Sequence, residues 1–240
     1  MTGRALLVHG LGSSSDGWWR VRGWLEEAGW QTETVTLIGH GGRDPSPDYE
    51  LDSYVADVRT ATTDGAPYDL VVAHSLGGTV ATVIAAEDPR WTRRLVLLDP
   101  VWYVPRDDLT AVADDQASDL LLTPESLRAA KPHWDERDIA GKLAAIAAVD
   151  PAAVQRTFRD IDRWDVREAA GRILTPTLVL GGDPAGYTML EPPDARAASE
   201  SAPAMQYRIV PGAGHSPHRD APDATRTLLF EWLDWTALKG

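Results

Sequence analysis

Six short apolar runs punctuate the chain, at residues 5–8, 34–38, 70–73, 95–98, 177–180 and 207–210, each bounded by Gly, Pro or Asp. All are too short for a core helix and are rich in Val, Leu and Ile, as strands buried on both faces must be. Between them lie helical patterns at 18–28, 78–87 and 222–235, the second with Val80, Val83 and Ile84 at i, i+3, i+4 spacing. Strands alternating with helices form βαβ units, which predicts an α/β fold: a mostly parallel sheet of about six strands flanked by helices. The alternation stops between residues 101 and 170. That stretch offers no strand, only helical segments at 107–121, 124–130, 136–148 and 152–161. It reads as an inserted helical cap over the C-terminal edge of the sheet. The expected division is a core of 1–100 and 171–240 and a cap of 101–170.

Composition narrows the functions. The 240 residues are within reach of one domain. Asp and Glu total 36 against 23 Lys and Arg, a net charge of −13 spread along the chain. Such a surface repels phosphate backbones and anionic head groups, which argues against nucleic-acid or membrane-surface binding as the main role. The absence of cysteine removes disulfides, thiolate metal sites and thiol catalysis. The first residues run straight into a strand pattern without the apolar core of a signal peptide, and no apolar run approaches the ~20 residues of a membrane span. The expected location is the cytoplasm. No His, Asp and Glu spacing suits a metal, and neither a phosphate-binding loop nor a dinucleotide fingerprint occurs, so no cofactor and no metal are expected.

The most informative segment is Ala73-His74-Ser75-Leu76-Gly77-Gly78, which follows one apolar run and opens a helical pattern. A serine between strand and helix must occupy a tight turn, and small residues two before and two after let the two backbones approach. That turn lifts the Ser75 hydroxyl to the positive end of the following helix. Read alone, the segment leaves open the alternative of a serine capping an ordinary helix. After the first run comes His9-Gly10-Leu11-Gly12, a turn that leaves N–H groups free; the amides of Leu11 and Leu76 are the candidate oxyanion hole. A serine nucleophile needs a base, and the base needs a third group to hold its tautomer. His215, in Gly212-Ala213-Gly214-His215 after the last run, is the candidate base. Asp183, one strand earlier, is the expected orienting acid, with Asp99 at the end of run 95–98 as the competing position. His9, His40, His74 and His218 are read as structural. Trp18, Trp19, Trp102, Tyr103 and Tyr187 are candidates for the substrate pocket, or else packing aromatics.

In these pieces the chain resembles the α/β-hydrolase superfamily: His9-Gly10, Gly39-His40-Gly41, the turn at Ser75, Asp183 and Gly214-His215 stand in the family's order along nearly the whole chain. Ala73 departs from the family's usual first glycine of the serine turn. The resemblance implies Ser75 as nucleophile, His215 as general base and then acid, Asp183 as orienter, and Leu11 and Leu76 as oxyanion donors. It implies a serine hydrolase cleaving a small, mainly apolar carboxylic ester or lactone through an acyl-enzyme. The same triad could instead serve as a carbon–carbon bond hydrolase, a lyase or an acyltransferase, or be retained in a ligand receptor. The expected partners are a small-molecule substrate and, through an apolar cap face, a second copy of the chain as a homodimer.

Overall fold

In the computed structural model, which describes residues 3–62, 67–161 and 163–237, the elements run in order as β1 (Gly3–Val8), α1 (Trp19–Glu27), β2 (Trp30–Val35), α2 (Leu51–Ala61), β3 (Leu70–His74), α3 (Leu76–Glu87) and β4 (Leu95–Leu98). There follow β5 (Tyr103–Val104), α4 (Leu109–Ser118), α5 (Pro124–Ala130), α6 (Glu136–Ala147), α7 (Pro151–Arg156), β6 (Trp164–Asp165) and α8 (Arg167–Gly171). The chain closes with β7 (Thr177–Gly181), α9 (Pro192–Ser201), β8 (Met205–Ile209), α10 (Pro217–Asp220) and α11 (Pro222–Ala237).

Six strands form one parallel sheet in the order β2-β1-β3-β4-β7-β8. Side chains alternate between its faces, and each face carries its own apolar layer. Ala5, Leu7, Val72, Val96 and Leu178 pack with Trp18, Leu25 and Leu233, from the α1 and α11 side. Leu6, Val8, Val71, Leu97 and Val179 pack with Tyr54, Val58, Val80 and Ile84, from α2 and α3. Connections run outward to β2 on one side of β1 and to β4 on the other side of β3. The C-terminal ends of these two strands flank the switch point where an α/β sheet opens a crevice.

The four central strands lie where their apolar runs predict them. The run 207–210 overlaps most of edge strand β8, whereas the other edge strand is displaced from its run. The run 34–38 overlaps β2 only at its end, because parallel pairing with β1 extends from Gly3↔Trp30 to Val8↔Val35 and stops there. Half-exposed β2 carries Gln31 and Glu33, and β8 carries Gln206 and Arg208, so neither edge strand is a continuous apolar run. Helices α2 and α9 lie outside the helical patterns of the sequence. The buried stripe of α9 is only Ala195 and Ala198, a weak signal, whereas α2 did carry one in Tyr54, Val55 and Val58.

Between β4 and β7, the expected helices begin where local chemistry starts them. Thr123 and Ser126 cap α5 reciprocally, with Pro124 at its first position; Asp135 caps α6 through Arg137 N–H, and Asp150 caps α7 through Ala152 N–H. Contrary to expectation the stretch also contains strand, the short antiparallel pair of β5 and β6. The α4–α7 segment is tied to loops at the C-terminal edge of the sheet. Lys142 Nζ donates to Gly12 C=O at 3.1 Å, Asp150 N–H to Gly39 C=O at 2.7 Å, and Trp134 Nε1–H to Asp220 at 2.7 Å. Among the described residues no helix is long and apolar enough to cross a membrane.

Candidate active site

Ser75 stands between β3 and α3 with φ 53° and ψ −123°, a strained conformation for a residue with a side chain. The surrounding packing enforces it. Ser75 N–H donates to Leu98 C=O at 3.1 Å, and a Cβ on Gly77 would lie 2.4 Å from His9 O and 2.5 Å from Val8 O. Only glycine lets α3 enter this close to the end of β1. A Cβ on Gly10 would in turn lie 3.2 Å from Ser75 Oγ, so the turn after β1 lies directly against the hydroxyl. Leu11 follows in that turn, and Leu76 opens α3, where the first N–H groups of a helix have no intrahelical acceptor.

His215 Nε2 lies 2.9 Å from Ser75 Oγ, and its Nδ1 lies 2.6 Å from Asp99 Oδ2. A carboxylate only accepts, so Nδ1 carries the proton and Nε2 is left to accept the serine proton. Asp99 follows β4, at the same edge of the sheet as Ser75. It has φ 42°, is fully buried, and also accepts from Gly182 N–H at 3.0 Å, Met189 N–H at 2.9 Å and the Thr188 hydroxyl. The arrangement can draw the proton from a serine hydroxyl while a fixed anion stabilises the imidazolium that forms.

Asp183 is not in this arrangement, and the expectation that it orients His215 is corrected. Its oxygens accept Ala185 N–H at 3.0 Å and Gly212 N–H at 3.1 Å, contacts that hold its carboxyl below the usual range. Chain order could not separate the two acids, because Ser75, Asp99, His215 satisfies it equally. The deciding facts are the positive φ at the end of β4, which turns the Asp99 carboxylate toward the histidine, and the three donors gathered around it from 182–189.

The pocket candidates also divide. Trp18 and Trp102 are packing aromatics: both are buried, Trp18 stacked on His218 with centroids 5.0 Å apart and Trp102 donating Nε1–H to Thr82 Oγ1 at 2.9 Å. Trp19 donates to Asp138 of α6 at 2.9 Å, and Tyr103 lies under the Arg167 guanidinium at 3.7 Å. Of the five, Tyr187 alone is brought to the histidine, its ring edge-on to His215 at 6.0 Å and 55% exposed.

His9, His40 and His74 form the backing. His9 Nε2 accepts Leu37 N–H at 3.2 Å and its Nδ1–H donates to Gly10 C=O at 2.8 Å; His40 Nε2 accepts Gly12 N–H at 3.1 Å and its Nδ1–H donates to Ile38 C=O at 2.8 Å. Both rings need one free lone pair, and burial lowers their pKa to about 3 and about 4. They brace the Gly10–Gly12 turn. His74, also driven well below the usual range by burial, donates Nε2–H to the His215 carbonyl at 2.7 Å.

With this geometry in view, the chain matches the alpha/beta hydrolase family over residues 5–228, and it belongs to that family. It is 26% identical over 248 residues to N-formylmaleamate deformylase of Pseudomonas putida, covering 95% of this chain and 88% of that protein. It is 26% identical to the pimeloyl-[acyl-carrier protein] methyl ester esterase of Xanthomonas campestris pv. campestris, covering 85% of each. Among solved structures, E-2-(acetamidomethylene)succinate hydrolase superposes with a TM-score of 0.81 over 98% of this chain and 92% of that one, at 21% identity, a likeness of fold.

Proposed function

We propose that this protein is a serine hydrolase that cleaves a small, mainly apolar carboxylic ester or lactone through an acyl-enzyme, with the helices of 101–170 as a cap over its site. The observation that carries this reading is the continuous relay Ser75–His215–Asp99, with spacings of 2.9 and 2.6 Å. Ser75 Oγ attacks the carbonyl carbon as His215 Nε2 takes its proton. The N–H groups of Leu11 and Leu76 receive the oxyanion, for which one donor is typically worth ~10²–10³ in rate. His215 then protonates the leaving alcohol, and water, activated by the same imidazole, releases the acid. The methyl ester esterase relative supports ester cleavage. The deformylase relative favours a second reading, hydrolysis of a carbon–nitrogen bond by the same steps.

The test is labelling with a fluorophosphonate, the modified residue located by mass spectrometry, beside turnover of p-nitrophenyl esters. Modification at Ser75, lost in His215→Ala, together with ester turnover abolished in Ser75→Ala, is the expected result. A Ser75→Ala protein that keeps full turnover refutes the mechanism.

A further inference from the structure

Five residues beyond His215 the chain places a second carboxylate in the same loop. Asp220 ends the single turn of α10, its N–H donating to Ser216 C=O at 2.8 Å, and its side chain folds back onto the loop of the histidine. Oδ2 accepts the N–H groups on both sides of that residue, Gly214 and Ser216, each at 3.0 Å. The intervening His215 carbonyl is held by His74. Three backbone groups around His215 are therefore fixed, and two of them depend on one oxygen of Asp220.

The other oxygen faces the helices over the site. Oδ1 accepts Trp134 Nε1–H at 2.7 Å, with Lys131 Nζ at 3.4 Å. Trp134 lies in the connection between α5 and α6, and its ring has the Lys131 ammonium 5.3 Å and the buried Arg219 guanidinium 5.2 Å from its centroid. A carboxylate only 10% exposed with donors on both oxygens is a rigid joint.

We infer that Asp220 is a positioning residue for His215, holding the histidine loop with one oxygen and setting that loop against the cap segment through Trp134 with the other. The inference rests on the serine-hydrolase reading above. Its physical content is that a base misplaced by about 1 Å can lose 10²-fold in rate. Seating of the cap segment and placement of the base are then one mechanical unit.

The test uses the full chain and four variants, with kcat and KM for p-nitrophenyl butyrate, the rate of Ser75 labelling by fluorophosphonate, and melting temperature. Asp220→Ala frees both amides, and kcat and labelling are expected to fall on the order of 10²-fold with KM little changed. Trp134→Phe keeps a six-membered aromatic face and removes the pyrrole ring with its N–H donor, lowering kcat about tenfold, the scale of one hydrogen bond to a charged group. Asp220→Asn keeps an oxygen for the two amides and turns its NH₂ toward the indole N–H. It should match Trp134→Phe, and the double variant should be no worse than Asp220→Asn alone. Asp220→Ala with a lowered melting temperature but wild-type kcat and labelling overturns the positioning role and leaves a structural one. Wild-type kcat in Trp134→Phe overturns the link to the cap. Absence of Ser75 labelling in the wild-type chain is instead a failure of the serine-hydrolase reading.

Discussion

Replacing either candidate acid by asparagine separates the two placements of the orienting group. Asp99 receives four donors: Gly182 N–H and the Thr188 hydroxyl on Oδ1, Met189 N–H and His215 Nδ1–H on Oδ2. An asparagine there has one oxygen and must set its NH₂ against one of these pairs. Toward Oδ2, the NH₂ opposes Met189 N–H and forces His215 into the tautomer whose Nε2 already carries a proton and cannot accept from Ser75. Toward Oδ1, it opposes Gly182 N–H and keeps the tautomer, but no anion remains to stabilise the imidazolium. Both orientations also leave a buried backbone donor unpaired, costing about 1–3 kcal/mol of stability. Wrong-tautomer triads lose on the order of 10⁴ in kcat, about 5 kcal/mol of barrier. Asp99→Asn is therefore expected to fall by about 10³–10⁴ in kcat for p-nitrophenyl acetate and in Ser75 labelling, while circular dichroism reports a folded protein. Asp183→Asn touches only two loop amides and should stay within about twofold, the scale of an ordinary surface change. An Asp183→Asn protein that is inactive beside an active Asp99→Asn protein refutes the assignment.

Two further outcomes concern the frame of the site. Gly77→Ala pushes a methyl within 2.5 Å of the Val8 carbonyl that ends β1, and overpacking of this kind costs ~1–3 kcal/mol, a melting temperature lower by roughly 3–10 °C in calorimetry; an unchanged melting temperature contradicts the forced approach of α3 to β1. Stability should also fall in acid. His9 and His40 titrate at about 3 and about 4 when folded against 6.5 as free groups, so above 6.5 neither contributes, and below it the unfolded chain alone takes up protons. Each removes about 2 kcal/mol by pH 5, together about 4 of the ~5–15 that hold a domain, with buried His74 and His218 adding in the same direction. Urea midpoints that do not move between pH 8 and pH 5 rule this out.

What could be read from the chain was what is written locally. A strand buried on both faces must be a continuous apolar run, so the central strands of the sheet declared themselves. The turn at Ser75 did too, since small residues at fixed offsets are needed wherever strand and helix meet so closely, and His215 was legible as the histidine in a small-residue loop after the last strand. The same locality explains the failures. An edge strand with one wet side, such as β2, carries Gln31 and Glu33 in its middle and loses the pattern. Trp18 stood open between pocket lining and packing because sequence proximity to the Gly10–Gly12 turn carries no direction; in the fold it is buried and stacks on His218.

The partner of His215 belongs to the second kind of information. Asp99 and Asp183 both end strands, both precede the histidine, and both are held by backbone amides. Which one reaches the imidazole depends on strand order, since β4 lies beside β3, and on a positive φ at Asp99 sustained by donors 83 to 90 residues away in sequence. The tie from Trp134 to Asp220 spans 86 residues in the same way. The sequence by itself determined the sheet's centre and singled out Ser75 and His215, the proposed nucleophile and base, because each obeys a short-range steric rule. Only the tertiary structure decided which carboxylate meets His215 and what holds that loop, because buried charge is settled by which donors the fold brings around it.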